Sequence, residues 1–354
     1  MSAAELQTDP PLSVSALARA SPADLWARAV RPSWPLVMMS ALILFAGCAL
    51  GPFEYAAWSD IAQRCGLMAM MLVGAALFAA NDRPRTALTL EAFALTAATA
   101  LTVPGLTSMI AALEMPYRDA ELLAADRMLG FDWAAIVEAT RAHPTLSIVM
   151  SHIYSSLLWQ PALLLPLLAY ADPERLRRLL AASTMALCFT VVVFVFVPAE
   201  TGYVHLGYRR ADFPDLLTNT AWGVAEILNA IRAGDRQLWL EGLITFPSYH
   251  AVAAALFAFA WMAVPVLRWP FVALNVIMVI ACVPIGSHYV VDVIAGLIIA
   301  VVAYRAADRY YAKTDTLPPL APWHETDEGR RILAALKHVK ARLPWRAPRI
   351  RVPA

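Results

Sequence analysis

Charge is scarce in this chain. Of its 354 residues only 16% are Asp, Glu, Lys or Arg, against 60% hydrophobic ones. The mean hydropathy is +0.58. A soluble domain needs a charged shell, so this balance excludes one and fits a polytopic membrane protein. The formal net charge of +1 carries no signature of a nucleic-acid partner, and none is expected. Cysteine is scarce too: Cys48, Cys65, Cys188 and Cys282 lie in or beside apolar runs, without paired or ligand-like spacing. That argues against a disulfide framework or a zinc knuckle. The chain also lacks an internal repeat, a glycine-rich nucleotide loop and any low-complexity tract.

What it has instead is long apolar runs. They fall at about 35–52, 64–80, 87–113, 145–170, 179–199, 248–267, 270–285 and 288–306. Each is apolar all round, as a membrane helix is and a barrel strand is not. The expected fold is an all-α, polytopic integral membrane helix bundle of about 6 to 8 transmembrane helices.

Positive charge orients them. Arg19 to Arg31, Arg83 and Arg85, Arg175 with Arg177 and Arg178, Arg268, and the tail from Arg305 to Arg351 fall at one set of ends. Those ends are read as cytoplasmic. The expected layout is a cytoplasmic tail over 1–34, N-terminal spans over 35–113, an extracytoplasmic interfacial segment over 114–144, a transmembrane core over 145–306 and a basic cytoplasmic tail over 307–354. The setting expected is a bacterial inner membrane. In the tail, with a short amphipathic helix around Glu328 to Leu343, Lys337, Lys340, Arg342, Arg346, Arg349 and Arg351 would meet anionic lipid.

The interfacial segment is too charged to span, yet Leu122, Leu123, Met128, Leu129, Phe131, Trp133, Ile136 and Val137 supply apolar anchors. Asp126 and Asp132 in its DRMLGFDW stretch are read as caps or interface charges ahead of a catalytic role. His143 and His152 are read as packing or interface residues, although a histidine in a span is often functional.

Everything else is organised around 244–296, where His250 and His288 each begin an apolar run and Asp292 follows His288 at i+4. Between the histidines the chain crosses and returns, with a turn at Arg268-Trp269-Pro270, so both lie on one membrane face, read as extracytoplasmic. On a helix Asp292 can accept from one ring nitrogen of His288 and leave the other free. Pro247 and Ser248 suit a helix start, and Gly286-Ser287 precedes His288 in the same manner. Two open helix starts facing one point favour an anion, most commonly phosphate.

FPSYHA followed by GSHYVVD resembles the second and third motifs of the type 2 phosphatidic acid phosphatase superfamily, with the flavour of its inositol phosphorylceramide synthase branch. The DRMLGFDW stretch is similar to that branch too. The resemblance implies His288 as nucleophile forming a phosphohistidine, Asp292 as its orienting partner and His250 as the acid that protonates the leaving oxygen. It departs from the pattern at Cys282, where an arginine is usual, at Tyr249, where a glycine is usual, and in having no first motif of lysine followed by Arg-Pro.

The phosphate ligands are therefore sought elsewhere. The loop 200–247 offers Arg209, Arg210, Arg232 and Arg236, with His205 and Tyr203 as weaker candidates, and guanidinium suits phosphate best. Ser248, Tyr249, Arg209, Arg210 and Arg236 are the expected substrate-binding residues.

The chemical rival is a metal held by the two histidines and Asp292. Against it, two positive helix ends would face the cation, so neither metal nor other cofactor is expected. The expected activity moves a phospho-headgroup from a phospholipid or polyprenyl phosphate to a lipid hydroxyl, in the manner of an inositolphosphotransferase. One alternative is hydrolysis of phosphatidate or polyprenyl diphosphate, and another is a catalytically silent lipid-binding scaffold.

Overall fold

Amide groups in hydrocarbon have no water to bond, so apolar runs close on themselves as helices. The computed structural model describes residues 32–55, 58–81, 83–216 and 220–314, with 329, 330 and 334. The described residues between 32 and 314 form one compact unit. Almost all of the expected tail helix, and the N-terminal tail up to residue 31, lie outside the described residues.

In chain order the first helices are α1 (Ser33–Leu50), α2 (Trp58–Ala80) and α3 (Pro84–Ala111). Two short ones follow, α4 (Asp119–Met128) and α5 (Trp133–Ala142), then α6 (Pro144–Ala171) and α7 (Pro173–Phe196). A loop region carries α8 (Gly202–His205), a 3-10 turn at Arg210–Asp212 and α9 (Thr220–Arg232). Last come α10 (Tyr249–Trp261), α11 (Arg268–Ala281) and α12 (Val290–Thr314). The two-residue strands β1 (Glu54–Tyr55) and β2 (Gln237–Leu238) pair in parallel and tie the loop before α10 to the turn after α1.

Among the described residues six helices, α1, α2, α3, α6, α7 and α12, are long and apolar enough to cross a membrane, and the protein is an all-α polytopic membrane bundle. α10 and α11 are shorter than the expected runs 248–267 and 270–285, with 13 and 14 residues. Proline accounts for both stops. The ring of Pro265 clashes with the carbonyl four residues back, that of Trp261, where α10 ends. Pro284 does the same one residue before the end of α11, and Val283 before it is disfavoured in helical geometry. Residues 262–267 and 282–286 continue as turns.

The main core sits around α7. Ala181, Ala182 and Ala186 of α7 are fully buried with Ala92 and Leu95 of α3, Val252 and Trp261 of α10, and Ala300 and Ala307 of α12. In lipid the hydrophobic effect does not drive helices together, and small residues let backbones approach for dispersion contact. Gly296 is one such approach against backbone: a Cβ there would stand 2.5 Å from the Ser248 carbonyl oxygen, so only glycine lets α12 press on the start of α10.

A buried polar knot fixes α6, α10 and α11 together. The Gln160 Oε1 accepts from Trp261 Nε1 at 3.0 Å and from Asn275 Nδ2 at 2.9 Å. Its amide nitrogen donates to Ser156 Oγ at 3.0 Å and to Asn275 Oδ1 at 3.2 Å. Interhelical bonds of this kind contribute about 0.6 to 2 kcal/mol each.

The bundle has two unlike ends. At one, Arg178 pairs with Asp308 at 3.0 Å, Arg175 stacks over Phe259 and Arg177 over Tyr311, which gathers the start of α7 with the ends of α10 and α12. The opposite end carries both histidines.

Candidate active site

α10 begins as its sequence leads one to expect. Ser248 is the N-cap, and its Oγ accepts from the Ala251 N–H at 3.4 Å. Pro247 stands outside the helix, one residue before that cap. The N–H groups of Tyr249 and His250 have no acceptor among the described residues, so the positive end of this helix stays open. His250 is partly exposed, its Nδ1 lies 3.0 Å from the Tyr154 hydroxyl of α6, and the two rings stack with centroids 3.9 Å apart.

His288 is placed differently from the expectation. α12 starts at Val290, so His288 lies in the non-helical link before it rather than within the helix. Its Nδ1 stands 2.9 Å from the Thr245 carbonyl oxygen and 3.5 Å from Asp292 Oδ2. A carbonyl can only accept, so the proton is on Nδ1 and the lone pair of neutral His288 is on Nε2. The tautomer is thus set first by the Thr245 carbonyl, with the Asp292 carboxylate as the nearby charge.

The start of α12 is also capped in another way than expected. Ser287 does not cap it: its backbone has φ of +59°, its carbonyl accepts from Gly202 N–H at 3.0 Å and its Oγ from Tyr203 N–H at 2.8 Å. Asp292 Oδ2 instead accepts from Tyr289 N–H at 2.9 Å. Asp126, reaching from α4, accepts from Val290 and Val291 N–H at 2.8 and 2.9 Å and from Trp133 Nε1 at 2.9 Å. These N–H groups are occupied and face two carboxylates, so α12 does not offer the anion-binding start that the sequence implied.

The two histidine rings lie 6.5 Å apart between centroids. No bond to either Nε2 occurs among the described residues. A group attacked from one side at about 3–3.5 Å and hydrogen bonded on the other at about 2.6–3.2 Å can bridge such a gap. Ser248 N–H donates to the Asp292 carbonyl oxygen at 3.2 Å, which locks the two helix starts to each other.

α4 and α5 brace this end. Asp119 accepts from the Tyr289 hydroxyl at 2.9 Å and from Glu200 N–H at 2.9 Å. Burial pushes the Asp119 carboxyl up from its ordinary value, while those two bonds pull it down. Trp133 packs edge-on to Tyr203 and Tyr289. Leu122, Leu123, Trp133 and Val137 are buried, whereas Met128, Leu129 and Phe131 form an exposed apolar tip. Asp132 caps α5 by accepting from Ala134 N–H at 2.9 Å, so both aspartates of DRMLGFDW are caps.

The structure thus brings Ser248, His250, His288 and Asp292 together and leaves other expected residues apart. Tyr249 packs against the main core, on the Cys188 side. A helix turns successive side chains by about 100°, which sends Tyr249 away from its neighbour His250. Arg209 is spent on the 3-10 turn, 3.8 Å from Asp212, and its side chain is 81% exposed. Arg210 is exposed beside it. Arg236 donates to the carbonyls of Ile231 and Asp235 and closes the turn after α9, while Arg232 stacks on Tyr117 and donates to the Met115 carbonyl. His143, His152 and His205 are exposed, and Tyr203 is buried in the aromatic cluster with its hydroxyl on the Pro284 carbonyl.

Three participants were not singled out in these roles: Tyr154, the Thr245 carbonyl, and Asp126 as the cap of a distant helix. Cys282, at the position where an arginine is usual, is fully buried, and its thiol donates to the Met278 carbonyl at 3.3 Å. Among the described residues no three His, Cys, Asp or Glu side chains are grouped as metal ligands.

Residues 120–306, more than half of the chain and including Ser248, His250, His288 and Asp292, match the PAP2 superfamily. No curated protein matches the chain, and no solved structure does.

Proposed function

Since this chain belongs to the PAP2 superfamily, which includes lipid phosphatases and phosphotransferases, we propose that it transfers a phospho-headgroup between membrane lipids through a phosphohistidine on His288. The observation that supports this most is the pairing of the two rings 6.5 Å apart with Asp292 beside one of them alone.

In the first step the Nε2 lone pair of His288 attacks phosphorus in line, a P–N bond forms and the P–O bond to the leaving group breaks. Protonated His250 gives its Nε2 proton to the departing oxygen. The phosphoimidazole left on His288 is cationic, and the Asp292 carboxylate stabilises it while Thr245 keeps its Nδ1–H bonded. In the second step a lipid hydroxyl attacks phosphorus, the P–N bond breaks and neutral His250 takes the hydroxyl proton. The open N–H groups of Tyr249 and His250 hold the developing charge on the phosphoryl oxygens. Arg209 and Arg210, on an exposed turn, would have to swing toward the substrate to add to it.

The substrate is a phospholipid or a polyprenyl phosphate. The bias of positive charge supports a cytoplasmic arginine-rich end and an extracytoplasmic histidine end. Hydrolysis, with water as second nucleophile, is the second reading, favoured because the family match covers both reactions.

The test uses the full chain in micelles with a chelator, offered dioctanoyl phosphatidate and phosphatidylinositol with water alone or with a lipid alcohol. Turnover lost in His288→Ala supports the scheme, and turnover retained in that variant overturns it. A new phospholipid identifies transfer, and free phosphate or inositol phosphate identifies hydrolysis.

A further inference from the structure

Tyr154 is among the largest fully buried side chains, and its hydroxyl has one hydrogen-bond partner among the described residues, His250 Nδ1 at 3.0 Å. The ring lies flat on the imidazole, 14° from parallel. The space for it is made by Gly286, where a Cβ would come 2.7 Å from the Tyr154 hydroxyl and 2.9 Å from its Cε2. The backbone just before the nucleophile is therefore shaped around this tyrosine. α6 is held against α10 by the Gln160 bond to Trp261, so the contact is anchored from below.

We propose that Tyr154 is a positioning residue for the reaction: its hydroxyl accepts from Nδ1–H of His250, keeps that proton in place through the cycle and confines proton traffic to Nε2. The inference rests on the reading of His250 as acid and base. Proton balance requires such a partner. Protonated His250 carries a proton on each nitrogen and gives up the one on Nε2, and only if the other stays on Nδ1 is Nε2 a base in the second step. A hydroxyl does this without charge. A carboxylate in its place would favour the protonated ring and oppose release of the proton.

Among the described residues, the titratable groups nearest this pair are His288, whose ring lies 6.5 Å from that of His250, Asp292 beside His288, and Cys282, after the end of α11, near Tyr154. Asp292 serves His288 at 3.5 Å, so the neutral partner and the charged one are divided between the two histidines.

Leaving-group dependence tests this. The purified full chain and its Tyr154→Phe variant are assayed on dioctanoyl phosphatidate, whose alkoxide must be protonated to leave, and on para-nitrophenyl phosphate, whose phenolate need not be. The expected result is a fall in kcat of about tenfold to a hundredfold on phosphatidate, part of the roughly 10²–10⁴-fold that acid–base catalysis supplies. On para-nitrophenyl phosphate the rate of phosphoenzyme formation changes less than threefold. An unchanged kcat on phosphatidate overturns the proposal, and so does an equal fall on both substrates, which is what a merely structural role would give.

A reading of the unmutated protein covers the case of a variant that fails to fold. In 15N-histidine-labelled protein neutral His250 should carry its proton on Nδ1, and a predominant Nε2–H tautomer overturns the assignment. His288→Ala separates the two levels: if its activity persists the phosphohistidine scheme fails, whereas an inactive His288→Ala beside an unimpaired Tyr154→Phe sinks the tyrosine's role alone.

Discussion

α10 opens on a serine cap and leaves two N–H groups without acceptors, whereas α12 opens with three N–H groups already given to carboxylates, two of them to Asp126 from a different helix. The histidines at these starts differ in the same sense. His250 faces a neutral hydroxyl, and His288 faces a carbonyl and a carboxylate. Neutral surroundings suit a ring that must gain and lose a proton within each cycle. Fixed negative charge suits a ring that must hold one tautomer and then become cationic on carrying phosphorus. Two helix starts that look alike in sequence thus differ in their surroundings in the way the two proposed roles would require.

The largest effect that would break this division is at the proposed nucleophile. His288→Ala should abolish turnover on every phosphoester, as measured by phosphate release or lipid transfer. His250→Asn comes next, with a loss of roughly 10²–10⁴-fold on lipid substrates. It should still accumulate phosphoenzyme from para-nitrophenyl phosphate, and rapid-quench labelling checks this. If both variants fail equally in forming the phosphoenzyme, the two rings do not have separate jobs.

The caps sharpen the contrast further. Asp126→Ala leaves two N–H groups of α12 and the Trp133 indole without an acceptor, and should destabilise the fold by about 1–3 kcal/mol. It should also lower kcat, because the link carrying His288 loses its brace. Asp132→Ala removes an exposed cap of α5 and should cost about 1 kcal/mol with little change in kcat. Thermal unfolding in micelles paired with initial rates distinguishes the two aspartates. Smallest is Arg209→Ala, whose exposed pairing with Asp212 contributes within about 0.5 kcal/mol. A large rise in KM in that variant would show that this turn reaches the substrate after all.

The helices were legible because lipid forces apolar runs to satisfy their own backbone, and the early ends of α10 and α11 could have been read from Pro265 and Pro284. That Ser248, His250, His288 and Asp292 come together was legible as well, because their spacing and their resemblance to a known pattern both point at one place. Their supporting contacts were not. Tyr154 sits in an apolar helix beside Ser151, Ser155 and Ser156, where nothing in the spacing marks one polar atom as the partner of a residue 96 positions away. The Thr245 carbonyl belongs to the backbone and has no sequence signature at all. Expecting α12 to offer open N–H groups failed for a related reason, since its cap comes from Asp126, 164 residues upstream of Val290. The loop arginines were singled out for their charge alone, and Arg236 proves to be used by its own turn.

The central claim is that phosphorus becomes bonded to His288 and to no other residue. The most direct measurement is rapid-quench labelling with dioctanoyl phosphatidate carrying 32P in its headgroup, followed by peptide mapping of the trapped protein. The account predicts an acid-labile, alkali-stable phosphate on the peptide containing His288, absent from His288→Ala. Label on His250, or full turnover with no labelled protein at any quench time, would contradict it.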